Sequence, residues 1–246
     1  MKPCPRNRLL TIVIFLIFIV ALHLDGCMNQ NGLLDSEPAI NGTVAFYHFD
    51  ETSGSTAIDS SGNGFNGTIF GAPRVPGKVG QGLQFDTTGD RVEILAPHSI
   101  FFQSQEITID LWLNPTTLNP GDLYNIVGAF TGEMTLRLNN GKFEFQLADC
   151  CGGKQIIITS ATSLNTSTWY YVAITFNGSD ARLYINGALD NSSSIPFPIP
   201  HMDNPLWVAG TNGVLPQFLG IIDEVRISNI VLTDTEIADY YQQTNI

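Results

Sequence analysis

The fourteen residues Met134–Leu147, MTLRLNNGKFEFQL, alternate apolar and polar side chains with period two on either side of Asn140-Gly141. Successive side chains of a strand point to opposite faces, so this pattern marks two strands with one buried face each. Asn-Gly supplies the positive φ angles that a two-residue hairpin turn requires. A second hairpin is expected in WYYVAITFNGSDARLYING, Trp169–Gly187, turning near Gly178. Further strands are expected at Val44–Phe49, Gly82–Asp86, Arg91–Ile94, Ile107–Leu113, Tyr124–Phe130, Gln155–Ser160, Leu206–Gly210 and Gly220–Ile227. Only the C-terminus suggests a helix: Thr233 and Glu236 form a capping box, with Leu232 and Ile237 as its hydrophobic staple. No repeat of fixed period appears. The 23 glycines and 13 prolines suit short strands joined by tight turns. The expected class is all-β, a two-sheet antiparallel sandwich with a short C-terminal helix.

The N-terminus reads differently. Lys2, Arg6 and Arg8 precede the apolar run Leu9–Leu22, LLTIVIFLIFIVAL. As a helix that run spans about 21 Å, short of a hydrocarbon core of roughly 30 Å. Basic start, short apolar run and small residue before a break give an export signal at residues 1–26. The break, Leu24-Asp-Gly-Cys27, resembles the lipobox of bacterial lipoproteins, although Asp25 departs from that pattern. The resemblance implies a lipid on Cys27, which would tether the chain to a membrane without spanning it. An ordinary cleaved signal or a short membrane anchor is the alternative. Residues 27–42 then form a polar tether and 43–243 the sandwich. The expected location is the cell envelope after export, at the outer membrane or cell surface.

Removing residues 1–26 leaves 8 basic and 22 acidic residues, a formal net charge of −14. Such a surface repels phosphate backbones and argues against nucleic acid as a partner. It is also a good setting for cations. The loop Ile58–Thr68, IDSSGNGFNGT, is dense in oxygen donors and glycines. Asp59 and Asn63 face one calcium ion if the loop curls, with Asp50 or Glu51 just upstream. Alternatively Asp59 and Asn63 only satisfy turn backbone groups.

Six segments occur in a familiar order: FYHFDE (46–51), DSSGNGFNGT (59–68), VGQGLQFD (79–86), the Trp-bearing strand 107–113, WYYVAITFNG…RLYINGAL (169–189) and GIIDEVRISNIVLTDTEI (220–237). Together they resemble the laminin-G-like jelly roll of the concanavalin A-like lectin/glucanase superfamily, over about residues 44–241. The resemblance implies a two-sheet jelly roll, a carbohydrate-binding or adhesive role, and a structural calcium to which Asp223 contributes. The implied metal set is Asp50, Asp59, Asn63 and Asp223. For Asp223 a buried pairing with Arg226 or Arg91 is the alternative.

Candidate ligand contacts are Trp112, Cys150, Cys151 and His201. In Ile107–Leu113 the apolar residues share one face, and Trp112 shares the other with Thr108 and Asp110, where it stacks on a sugar or is covered by a second inner sheet. Cys150 and Cys151 are the only thiols left once the signal and Cys27 are set aside. Adjacent Cα atoms lie 3.8 Å apart, below the usual disulfide range of about 4.4–6.8 Å, so a vicinal disulfide there would be a strained, stiff turn. A reduced pair is the alternative. His201 sits in the proline-rich stretch IPFPIPHMD, a long connection of the kind that carries binding residues.

Catalysis is not expected. Glucanases of the superfamily place several acids at alternate positions of one strand. Here Glu106 and Asp110 are four apart, and Asp223 and Glu224 are adjacent, hence on opposite faces of a regular strand. No nucleophile elbow, metalloprotease helix or phosphate loop occurs. The reading is a non-catalytic, membrane-tethered module for a glycan or cell-surface protein. A protein–protein adhesion or assembly domain is the alternative, and a polysaccharide-degrading enzyme the third.

Overall fold

The computed structural model describes residues 42–95, 104–129, 134–148, 155–194, 196–199, 205–210 and 217–245. The expected export signal, Cys27, nearly all of the expected tether, Cys150, Cys151 and His201 lie outside the described residues.

Two antiparallel sheets form a jelly-roll sandwich. The first comprises β1 (Thr43–Tyr47), β4 (Arg74–Pro76), β5 (Gln81–Phe85), β7 (Ile107–Pro115), β12 (Tyr170–Phe176), β13 (Asp180–Ile185), β14 (Ala188–Ser194) and β16 (Gly220–Ser228). Its order is β14-β13-β12-β7-β16-β5-β4, with β1 also paired to β16. The second comprises β2 (Thr56–Ala57), β3 (Gly67–Phe70), β6 (Arg91–Ile94), β8 (Leu123–Ala129), β9 (Met134–Asn139), β10 (Lys142–Ala148), β11 (Gln155–Ser163) and β15 (Leu206–Val208). Its order is β11-β10-β9-β8-β15-β6-β3-β2.

The hairpin read first in the sequence is β9–β10. Asn140 and Gly141 take φ values of 51° and 72°, the two positive angles its turn needs. Met134, Leu136, Leu138, Phe143, Phe145 and Leu147 are all buried in the core between the sheets. The sandwich closes at both sides through polar contacts. Asp190 of β14 accepts the backbone N–H groups of Ala161 and Thr162, while Arg74 of β4 donates to Gly54 O, Thr56 O and the Glu51 carboxylate.

The outer face of the first sheet is covered. Helix α1 (Asp234–Thr244) starts with the expected capping box between Thr233 and Glu236. Asp234 accepts from the Tyr184 hydroxyl at 2.8 Å and from Arg182 at 2.9 Å, fixing the first turn to β13. Beneath the helix, Ile237 and Tyr240 join Phe46, Trp112, Tyr171, Ala173, Tyr184 and Leu232 in a second apolar cluster. Trp112 is therefore the floor of a core and is only 1% exposed. Its Nε1 donates to Thr244 Oγ1 at 2.9 Å, and Lys78 Nζ lies 4.9 Å from its ring centre. The expectation that Trp112 stacks on a sugar is corrected: α1 is the covering layer. Asp110 beside it is fully buried, in a bidentate pair with Arg226 at 2.9 and 3.0 Å.

A bulge in β16 corrects a second expectation. Asp223 pairs with Trp112 and Arg226 with Asp110, so Glu224 and Val225 together oppose Leu111. Glu224 takes φ 53°. The extra residue shifts the alternation, and Asp223 and Glu224 both turn to the helix side. There Glu224 accepts from the Tyr240 hydroxyl at 2.8 Å and meets His48 Nδ1 at 2.8 Å.

Candidate functional site

The polar half of the β9–β10 alternation builds the outer face of the second sheet. Its exposed part lies toward β2, β3 and β6; toward β9 and β10 it is enclosed, with Thr135, Glu144 and Gln146 buried and the Arg137 side chain 12% exposed. Strand register aligns one row across all eight strands: Thr56, Thr68, Glu93, Trp207, Gly128, Thr135, Gln146 and Ile157. A parallel row runs Asn125, Arg137, Glu144, Thr159.

Polar side chains on this face are fixed by one another. Arg137 Nε donates to Glu144 Oε2 at 2.9 Å, and its terminal nitrogen donates to Gln146 Oε1. Glu144 Oε1 also accepts from Asn139 Nδ2 and Thr159 Oγ1, each at 3.1 Å. The face also holds an aromatic group. Arg91 lies 3.9 Å from the Phe70 ring centre and 5.3 Å from that of Trp207, while pairing with Glu93 at 3.3 Å. A Cβ at Gly210 would collide with the Trp207 ring, so glycine there lets the indole lie close to the backbone. Trp207 was legible only as one of three strand tryptophans. Its place on the open face follows from pairing with Glu93 and Gly128, which the sequence does not display.

Among the described residues, two of the five exposed large apolar side chains lie in this sheet and two just past its strand ends. Phe70 and Ile157 stand on its outer face, and Ile58 and Leu95 directly follow the inward Ala57 and Ile94; only Leu189 lies elsewhere.

The expected metal residues divide into two groups. Asp59 accepts the backbone N–H groups of Phe46, Ser61 and Phe65 at 2.9–3.0 Å, which occupies both its oxygens. Asn63 directs its amide nitrogen to Val44 O at 3.0 Å. These two residues therefore act as turn-formers, and the loop clasps β1. Asp50 and Asp223 instead meet at one turn, Gly77–Gln81. Asp50 Oδ1 accepts Gln81 N–H at 2.6 Å, and Asp223 Oδ2 accepts those of Lys78 and Val79 at 2.8 and 2.9 Å. A Cβ at Gly80 or Gly77 would collide with Asp50 or Asp223 respectively, so the glycines are what let both carboxylates approach. Asp223 pairs with neither Arg226 nor Arg91. Burial pushes its carboxyl up to about 8, against the turn amides and reinforced by the neighbouring Glu224. Among the described residues no three His, Cys, Asp or Glu side chains converge as a metal cluster. Asp223 Oδ1 also accepts the Glu224 N–H at 2.8 Å, so both its oxygens, like those of Asp59, are held by backbone amides; a hard cation there would have to share them and take its remaining oxygens from backbone carbonyls.

The comparisons with known proteins agree with this architecture. A family model described as concanavalin A-like lectin/glucanases superfamily matches residues 86–238. No curated protein matches the sequence. The binding domain of Paraclostridial mosquitocidal protein 1 is similar at a TM-score of 0.69 and 20% identity, over 82% of this chain and 52% of that one. The binding domain of botulinum neurotoxin DC, solved in complex with rat synaptotagmin II, is similar at 0.66 and 14% identity, over 82% and 52%. The chain thus spans about half the length of these toxin domains. Domain 4 of an extracellular arabinanase from Geobacillus stearothermophilus, solved with arabinotriose, is similar at 0.66 and 22% identity, over 81% of this chain and 98% of that domain. Identities this low speak to fold. The family match, which covers well over half of the chain, speaks to descent: the chain belongs to the concanavalin A-like lectin/glucanase superfamily.

Proposed function

We propose that the chain is a non-catalytic carbohydrate-binding module, tethered to the cell envelope by a lipid on Cys27, with its ligand on the outer face of the second sheet. The observation that carries this reading is the cluster of Phe70, Arg91, Glu93 and Trp207 at the exposed end of that face, where aromatic rings and a fixed ion pair stand together. Aromatic planes beside fixed polar groups are what a sugar needs: the ring stacks on its C–H face while donors and acceptors meet its hydroxyls. The arabinanase domain, whose length the chain matches almost fully, was solved with arabinotriose, which supports the same ligand class.

The acids on the face support binding without turnover. Glu93 and Glu144 lie on strands four intervals apart, about 19 Å at the usual strand spacing. Glycosidase carboxyl pairs stand roughly 5–9.5 Å apart. We further propose that calcium is held by Asp50, Asp223 and carbonyls of the Gly77–Gln81 turn. When bound it would supply positive charge to a buried carboxylate and stiffen that turn.

The test is a glycan panel offered to the full-length chain in mild detergent, with calcium and with chelator. Saturable binding is expected. Trp207→Ala should weaken it at least about tenfold, equivalent to roughly 1.4 kcal/mol, while Leu189→Ser on the other sheet leaves it unchanged. Absence of any glycan binding would overturn the reading. A second reading, a protein partner, is favoured by Ile58 and Leu95, 51% and 75% exposed at one end of the open sheet. Ile58→Ser with Leu95→Ser would then abolish capture of that partner and leave sugars unaffected.

A further inference from the structure

Arg91 and Trp207 meet at the exposed end of the second sheet although strand register pairs Trp207 with Glu93 and Arg91 with Phe70. We propose that Gln217 is a positioning residue for the ligand site there. It sets Arg91 against the Phe70 and Trp207 rings, and so sets how tightly the site holds a sugar. The inference rests on the carbohydrate reading of that face.

Gln217 is buried, and its amide bridges two segments of the chain. Nε2 donates to Asp90 O at 3.0 Å and to Ala209 O at 2.6 Å, and Oε1 accepts the Gly89 N–H at 3.4 Å. One side chain therefore ties the residues just before β6 to the residue just after β15. A buried carbonyl that loses its donor is costly, so an apolar side chain of the same size does not replace this amide. On the β15 side, Ala209 takes φ 56°, a conformation uncommon for any residue but glycine. Its N–H donates to Ile126 O at 2.8 Å while its carbonyl meets Gln217, so the backbone is held from both sides. Gly210 follows, close against the Trp207 ring.

On the β6 side the chain of support reaches Arg91. Its guanidinium is held by Gly89 O at 3.2 Å and by Glu93 at 3.3 Å, both long contacts. Its Nε is buried and has no partner among the described residues. The place of the guanidinium therefore depends on where Gly89 O stands. Gln217 holds the groups on either side of that carbonyl, the Gly89 N–H and the Asp90 carbonyl. Asp90 braces the same turn: its carboxylate accepts the N–H groups of Asp86 and Thr87 and the Thr87 hydroxyl. A Cβ at Gly71 would collide with that carboxylate, so glycine lets the chain after Phe70 lie against it. Phe70, Arg91 and Trp207 thus all lean on segments that Gln217 joins. A contact residue meets its ligand well only when such supporting groups lock it in place.

The test uses the full-length chain in mild detergent, with nitrogen-15 in its arginine side chains. Arg91→Lys removes the Arg91 Nε–H signal and so identifies it. In the unaltered chain the ring currents of Phe70 and Trp207 should displace that proton signal from those of solvent-exposed arginines. Gln217→Met should return it toward them. Calorimetry with arabinotriose, cellotriose and trigalacturonate should show binding weakened about tenfold by the same substitution. Thr233→Ala, which loosens the helix on the other sheet, is the stability control and should change neither readout. Should Gln217→Met fail to fold, Gln217→Asn carries the comparison, since its shorter stem cannot reach both carbonyls. An Arg91 signal that stays in place in the Gln217 variant would overturn the inference, whatever binding does. A displaced signal with unchanged affinity would overturn the link from Gln217 to the ligand. If none of the three sugars binds the unaltered chain, the affinity half of the inference falls with the carbohydrate reading, while the Arg91 signal still decides whether Gln217 holds the guanidinium.

Discussion

Each sheet carries an arginine–carboxylate pair and a tryptophan on its outer face. On the first these are Arg226–Asp110 and Trp112, and on the second Arg137–Glu144 and Trp207. The two sets are enclosed to different degrees, because α1 lies directly on the first face. Under the helix, Arg226 stacks 3.9 Å from the Tyr240 ring centre and has its guanidinium closed in by aromatic rings. On the second sheet Arg137 also donates to the Gln146 amide oxygen, and Glu144 accepts from the Asn139 amide and the Thr159 hydroxyl. A buried charge pair is part of the fold. Arg137–Glu144 keeps only a rim of exposure, its side chains 12% and 7% accessible against 2% and 0% for Arg226–Asp110.

The largest effect should come from breaking the covered pair. Arg226→Leu leaves Asp110 buried without its partner, and losing one member of a buried pair costs about 3–5 kcal/mol. Urea unfolding should show a large drop in midpoint with an unchanged slope. Arg137→Leu should cost distinctly less stability. Equal losses from the two substitutions would mean that the open face is as much a core as the covered one.

That contrast also marks how far the sequence could be read. The β9–β10 hairpin, the capping box at Thr233 and the sandwich class follow from local rules: period-two alternation, Asn-Gly, and the Thr-x-x-Glu spacing. Trp112 and Trp207 could not be told apart locally, since each sits in a strand between two apolar neighbours, Leu111 and Leu113 or Leu206 and Val208. Their difference depends on where residues far away in the chain fold back. Thr244 caps Trp112 from 132 positions away. Asp223 and Glu224 were misjudged for another reason. Their shared face depends on a bulge, and a bulge inserts one residue without a fixed sequence signature. Asp50 and Asp223 were legible as acids, but their meeting at the Gly77–Gln81 turn joins segments more than 140 residues apart.

A smaller effect concerns that turn, next to the covered face. Asp223 is raised from its ordinary 3.8 to about 8 by burial, so between those values the folded chain holds a proton that the unfolded chain has released. Stability contributed by that proton is fully present below about pH 4 and is lost as pH rises through about 8. In chelator, the unfolding midpoint should therefore fall across this window, and Asp223→Asn should flatten the slope. Calcium binds the ionised carboxylate, so adding it should restore stability most at the alkaline end. A profile identical with calcium and with chelator would remove the metal from Asp50 and Asp223, and would leave the open face as it stands.

The smallest change separates the two faces most cleanly. Thr233 accepts the Glu236 N–H at 3.2 Å, and Glu236 Oε2 in turn accepts the Thr233 N–H at 2.8 Å. Thr233→Ala removes the first of these bonds and should cost about 1 kcal/mol, the usual worth of an N-cap side chain. Hydrogen exchange should quicken first in α1, because its first turn rests on this cap and on Asp234. The core between the sheets does not depend on the helix cap, so exchange in β8, β9 and β10 should change little. Glycan affinity should then be the same as in the unaltered chain. Were affinity to fall along with helix protection, the covered face would be supporting the open one through the core. The helix would then belong to the binding site as well as to the fold.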